Sequence, residues 1–339
     1  MTKQTVLIES QITPRDARGL SHLPVVLNSV GDPFRRSVAG AAETGVADIT
    51  MGRLVREESM TLDTAGATID FRQSGEGPDL LWLAAGDQPG DVWRRWQTPF
   101  FDGLFRSTTF DARGVGATRS KTDPPWAISE HARDAALLIE SACSPPIFLV
   151  GLSMGSLIAQ ELCFTRPELV RAAIVMGTCV KKTGFIREWE QAEIDFRRGG
   201  GTLTREFALA HYAFLYYPAE VLGDDVLWAG IREFLARDFA ERDGKMLAAQ
   251  WQACLDYDSS LRVPVCDVPI HVIAFAEDVQ TPPARAREVA DLAKFSTFHL
   301  LEGLGHGSAF GHRPEVVNGC IAQILAQYKD IGAPSQTEI

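Results

Sequence analysis

The 339-residue sequence predicts an α/β fold, a mostly parallel β-sheet flanked by helices and interrupted by a helical insertion. Three observations predict it. Short apolar runs alternate with helical patterns from about residue 57 onward, which is how a parallel sheet covered on both faces reads. The alternation lapses over residues 180–260, where the pattern stays helical. One apolar run, 147–150, leads straight into Gly151-Leu152-Ser153-Met154-Gly155 and then into a helix.

The elements follow in order. Met60 to Thr64, a turn at Gly66, and Ala67 to Phe71 read as a hairpin. Ser74-Gly75-Glu76-Gly77-Pro78 is a turn. Residues 79–85 form a buried strand. A helix carrying Trp93 and Trp96 as packing residues comes next, then a strand over 107–111. Pro124-Pro125 breaks the chain before a helix over 128–143. Strand 147–150, helix 153–165 and strand 170–176 complete the first half. Strand 270–276, helix 283–293, strand 297–301 and helix 314–328 form the second.

Residues 1–55 hold many breakers and no convincing core element. They read as a poorly ordered extension, or as an arm packed on the main domain or on a second subunit of a homodimer. The organisation is therefore an N-terminal extension (1–55), a core built from 56–179 and 261–330, and a helical cap (180–260). The cap holds 13 of the 30 aromatic residues, among them Trp189, Tyr212 and Tyr216. Such a set can be the core of a small helical subdomain, and inserted after a sheet strand it suggests the wall of an apolar pocket.

Composition excludes several function classes. Lys plus Arg is 33 and Asp plus Glu is 44, a net charge of −11. An acidic chain without a basic stripe suits neither nucleic acid nor an anionic membrane surface. Six scattered cysteines with no Cys-x-x-Cys pair suit reduced thiols rather than a zinc site or redox dithiol. The first ten residues do not resemble a signal peptide, and no apolar run approaches the ~20 residues of a membrane span. The expectation is a soluble cytoplasmic protein acting on a small molecule, with no metal and no cofactor.

The pentapeptide at 151–155 fits the pattern G-x-S-x-G. Its serine would stand on a tight strand-to-helix turn, where the helix N-terminus favours a developing anion. A serine hydroxyl needs a base. Of seven histidines, His306 lies in Gly303-Leu304-Gly305-His306-Gly307, a glycine-rich loop after the last strand. His131, His271 and His299 read as structural, and His312 as the start of the last helix. The imidazole needs an orienting carboxylate. Asp278 stands at a strand's carboxyl end, before Thr281-Pro282-Pro283, with Asp256 and Asp258 as rivals. The order Ser153, Asp278, His306 is the chain order that such hydrolases use.

Residues 57–328 resemble the α/β-hydrolase superfamily, in the capped branch that includes enol-lactonases, cofactor-free haloperoxidase-type esterases and proline iminopeptidases. The matching segments are Asp111-Ala112-Arg113-Gly114-Val115-Gly116, Gly151 to Gly155, Arg166-Pro167-Glu168, Asp278 with Thr281 to Pro283, and Gly305-His306. The resemblance implies an eight-stranded sheet and an oxyanion hole of two backbone N–H groups. One would come from Met154. The other would come from Asp87, where Ala85-Gly86-Asp87 departs from the usual His-Gly pair. The Asp111 to Gly116 loop would be mainly structural. Trp189, His211 and Tyr212 of the cap are candidate substrate contacts.

The function expected is a serine hydrolase acting on an ester, lactone or related acyl bond of a fairly bulky apolar molecule. The alternative is non-hydrolytic chemistry in the same pocket: cyclisation, C–C cleavage, acyl transfer or epimerisation. A binding protein without turnover is the third reading.

Overall fold

The structure is a computed structural model that describes residues 59–238 and 243–328; the N-terminal extension expected at 1–55 lies outside them. The hairpin forms from strands β1 (Met60–Asp63) and β2 (Ala67–Ser74). Thr64 closes its turn, its Oγ1 accepting the N–H groups of Gly66 and Ala67. Strands β3 (Asp79–Leu83) and β4 (Arg106–Phe110) follow, with the short β5 (Arg119–Ser120) after them. Then come β6 (Ile147–Leu152), β7 (Val170–Met176), β8 (Ile270–Phe275) and β9 (Ser296–Leu301).

The sheet order is β1-β2-β4-β3-β6-β7-β8-β9, with β5 paired to β2. Every pair from β4 through β9 is parallel, while β2 runs antiparallel to its neighbours. The expected eight strands become nine, because the two-residue β5 is too short to show a period in sequence. Strands β3, β6 and β8 are buried at every position. That is why they read as unbroken apolar runs rather than alternating ones.

Helices Ile128–Ala142, Met154–Thr165, Pro283–Leu292 and Pro314–Ala326 flank the sheet. Between β7 and β8 lie the helices Gly184–Arg198, Arg205–Tyr216, Ala219–Gly223, Asp225–Asp238 and Gly244–Asp256. Two of these begin at capping side chains: Thr204 accepts the Phe207 N–H, and Asp243 those of Lys245 and Met246. A bridge between Lys181 and Asp258 closes the neck of the insertion. The Asp111 to Gly116 loop is braced from within. Asp111 accepts N–H groups of Gly90 and Ala117, and buried Arg113 forks onto Asp134. All six cysteines are free thiols, five of them buried. Among the described residues no helix is long and apolar enough to cross a membrane.

Candidate active site

Ser153 stands between β6 and the helix Met154–Thr165, with φ 53° and ψ −118°. A non-glycine residue in that region stores roughly 1–3 kcal/mol of strain. The surrounding packing holds it there. A Cβ on Gly155 would lie 2.0 Å from the Leu83 carbonyl oxygen, and one on Gly151 would lie 2.3 Å from that of Gly155. Glycine at 155 lets the elbow pass this close to β3, and glycine at 151 lets the start of the helix pack on the strand that leads into it. As first residue of its helix, Met154 has no intrahelical acceptor for its N–H.

Asp278 and His306 come from the loops after β8 and β9, 28 residues apart in sequence. His306 Nδ1 and Asp278 Oδ2 lie 2.7 Å apart, and both side chains are buried. Asp278 Oδ1 accepts the N–H groups of Gln280 and Thr281 at 2.9 and 2.8 Å. Thr281 Oγ1 donates to Asp278 Oδ2 at 2.7 Å and lies 3.3 Å from His306 Nδ1. The carboxylate is thus held on both oxygens, which sets the ring so that Nε2 is the nitrogen left for chemistry. The rivals are used elsewhere. Asp256 accepts from Gln252, and Asp258 accepts the Ser260 N–H and pairs with Lys181. Glu277 accepts the Ala219 N–H.

Ser153, Met154 and His306 line one cavity of about 40 Å³. Its other walls include Gly86, Gln88, Gly177, Gln280, Thr281 and Phe310 from the core, and Glu190, Tyr216, Trp251 and Cys254 from the cap. Lys182, at the cap's neck, completes one side. No hydrogen bond joins Ser153 to His306 among the described residues; such contacts commonly tighten only when substrate binds.

The structure separates three expected contacts from the cavity. His211 Nε2 lies 3.0 Å from Glu193 Oε2, and the Tyr212 hydroxyl donates to Glu193 Oε1 at 2.8 Å. Trp189 packs against His211 and Trp251. None of Trp189, His211 and Tyr212 lines the cavity. They form the cap's own interior, because buried Glu193 draws the polar tips inward. Burial works against its charge, but His211, Arg197 and Tyr212 outweigh that and hold its carboxyl below the usual range.

The Asp87 amide is also not free. It donates to Gln250 Oε1 at 2.6 Å, while Gln250 Nε2 donates to the Arg113 carbonyl oxygen at 2.6 Å. Gln250 is a fully buried residue of the cap helix Gly244–Asp256. In this arrangement the second expected oxyanion donor is covered. Sequence reasoning missed Gln250, whose only signal is a polar residue beside apolar ones on an amphipathic helix. It also missed how the cap fixes the His306 loop: the Tyr216 carbonyl oxygen accepts the Gly307 N–H at 2.8 Å.

Residues 78–319 match the profile of the alpha/beta hydrolase family. The chain is 30% identical over 263 residues to BpoC of Mycobacterium tuberculosis H37Rv, a protein named for non-heme bromoperoxidase activity; the match covers 76% of this chain and 98% of that one. It is 25% identical over 267 residues to 3-oxoadipate enol-lactonase 2 of Acinetobacter baylyi, covering 76% of this chain and 95% of that one. The crystal structure of BpoC superposes with a TM-score of 0.73 at 28% identity, covering 80% of this chain and 98% of BpoC. The chain belongs to the α/β-hydrolase family.

Proposed function

We propose that the protein is a serine hydrolase that cleaves an ester, lactone or related acyl bond of a small molecule, using Ser153, His306 and Asp278. The observation that carries this reading is the buried 2.7 Å contact of His306 with Asp278, at the edge of the cavity that also exposes the strained Ser153 elbow. Ser153 Oγ attacks the acyl carbon and His306 Nε2 takes its proton. The tetrahedral oxyanion receives the Met154 N–H. Collapse expels the leaving group, which takes the proton from His306. Water then attacks the acyl-enzyme by the same route in reverse.

Lys182 and Glu190 among the apolar residues of the cavity wall support a substrate that carries a polar group beside its apolar part. The covered Asp87 amide favours a second reading, non-hydrolytic chemistry by the same residues. With only Met154 donating, oxyanion stabilisation falls short by the roughly 2.7–4 kcal/mol that one donor supplies. The test is covalent labelling. A fluorophosphonate and a smaller sulfonyl fluoride are each incubated with the protein and with Ser153→Ala, and intact mass is read. Rapid labelling abolished by Ser153→Ala is the expected result. No labelling by either probe would overturn the hydrolase reading in favour of the second.

A further inference from the structure

The cavity contains an ion pair that acyl transfer does not require. Lys182 Nζ donates to Glu190 Oε1 at 2.8 Å, with side chains only 7% and 8% exposed. Lys182 comes from the neck that leaves β7, and Glu190 from the cap helix Gly184–Arg198. Both line the space that Ser153 and His306 share. Burial alone would push the Lys182 ammonium toward neutrality, but the Glu190 carboxylate outweighs that and holds its pKa above the usual lysine value.

The pair is incompletely satisfied. Glu190 Oε2 is buried and has no hydrogen-bond partner among the described residues. An ammonium has three N–H donors, and Glu190 Oε1 accepts the only hydrogen bond that Lys182 Nζ makes among the described residues. A buried carboxylate oxygen without a donor is costly, and such groups are normally paired. Lys182 and Glu190, with these unfilled donor and acceptor positions, both line the cavity.

We propose that Lys182 and Glu190 form a specificity site for a neutral substrate group that both accepts and donates hydrogen bonds, a hydroxyl or a primary amide remote from the scissile bond. Such a group accepts from Lys182 Nζ and donates to Glu190 Oε2. A carboxylate would meet Lys182 but set a second negative charge against Glu190. An ammonium would do the converse. A methyl group would leave both vacancies unfilled, and a site built for hydrogen bonds discriminates strongly against analogues that lack them. This inference rests on the serine-hydrolase reading for where the acyl carbon sits.

The test separates binding from turnover. Ethyl esters of graded chain length, ending in methyl, hydroxyl, primary amide or carboxylate, are titrated calorimetrically into Ser153→Ala. The same esters are offered to the unaltered enzyme for hydrolysis. The expected result is that hydroxyl or amide ends bind Ser153→Ala roughly tenfold or more tighter than methyl and carboxylate ends. In Ser153→Ala/Glu190→Gln the wall gains a net positive charge, so the carboxylate end gains at least about tenfold on the hydroxyl end. In Ser153→Ala/Lys182→Met the preference for hydroxyl over methyl disappears. These comparisons are made within each variant, so a loss of stability does not imitate them. Equal binding of all four ends, tightest binding of the carboxylate end by Ser153→Ala, or no binding at all overturns the inference. Hydrolysis without preference overturns it and leaves the hydrolase reading intact. A preference in binding without hydrolysis sustains it and leaves the hydrolase reading to the labelling test.

Discussion

The side chain of Gln250 bridges the cap to two loops of the core, accepting the Asp87 N–H and donating to the Arg113 carbonyl oxygen, both at 2.6 Å. The first of these bonds occupies an amide that the family resemblance assigns to the oxyanion. On the proposed serine-hydrolase reading, Gln250 therefore competes with the oxyanion for a donor. Gln250→Ala is expected to be labelled by fluorophosphonate up to about tenfold faster than the unaltered protein. It should also unfold about 1–3 kcal/mol more easily, since two buried polar groups lose their partner. Unchanged labelling would mean that another amide receives the oxyanion.

Thr281 acts through its neighbours. Its hydroxyl donates to Asp278 Oδ2 and its amide to Asp278 Oδ1. Thr281→Val keeps the shape and the amide but removes one donor to the carboxylate. With one donor fewer the carboxylate is held less firmly against the His306 ring, so the ring is less often oriented for proton transfer. Measured kcat is expected to fall roughly 10-fold or more with KM little changed. Rescue by Thr281→Ser would identify the hydroxyl as the cause, and an unaffected kcat would refute the role.

Gly177 abuts the His306 ring. A Cβ there would lie 2.8 Å from His306 Cε1, on a backbone with φ +53°. Gly177→Ala should displace the imidazole and abolish most activity, because misplacement by about 1 Å can cost roughly 10²-fold. Retained activity would show that the loop after β7 yields instead.

Acid sensitivity has a definite source. Burial, with Arg113 nearby, pushes the His131 pKa down to about 4, and burial does the same to His271. Their folded values lie below the unfolded one, near 6.5. Between those limits the unfolded chain binds more protons, so stability is full above about pH 6.5 and falls as pH drops toward 4. Each group can account for about 2–3 kcal/mol at most. His131 Nε2 has no hydrogen-bond partner among the described residues, so His131→Leu is expected to flatten part of this fall. Urea unfolding at pH 7, 5.5 and 4.5 measures it; an identical pH slope in the variant would sink the assignment.

Arg113 and Asp134 are each about 4% exposed and joined by two hydrogen bonds. Asp134→Ala leaves a buried guanidinium without its carboxylate and should cost about 3–5 kcal/mol. A shift under about 1 kcal/mol in the urea midpoint free energy would show that water reaches the pair.

The sheet, the strand-to-helix turn at Ser153 and the helices between β7 and β8 were legible in sequence, because these rest on short-range chemistry. Fully buried strands such as 147–152 must be apolar along their whole length. A strand that meets a helix through Gly151-Leu152-Ser153-Met154-Gly155 has few ways to turn. Asp278 and His306 were legible because both stand at carboxyl ends of strands, where a parallel sheet gathers its loops. Their contact, and the part played by Thr281, was decided only by tertiary structure. So was the inward turn of Trp189, His211 and Tyr212 around Glu193, since helical periodicity shows which residues share a face but not what that face meets. Gln250 on Asp87 lies in the same category: it pairs groups 163 residues apart, whose partner is chosen by how the helix Gly244–Asp256 seats on the core. Pairing across an insertion leaves no local periodicity to read.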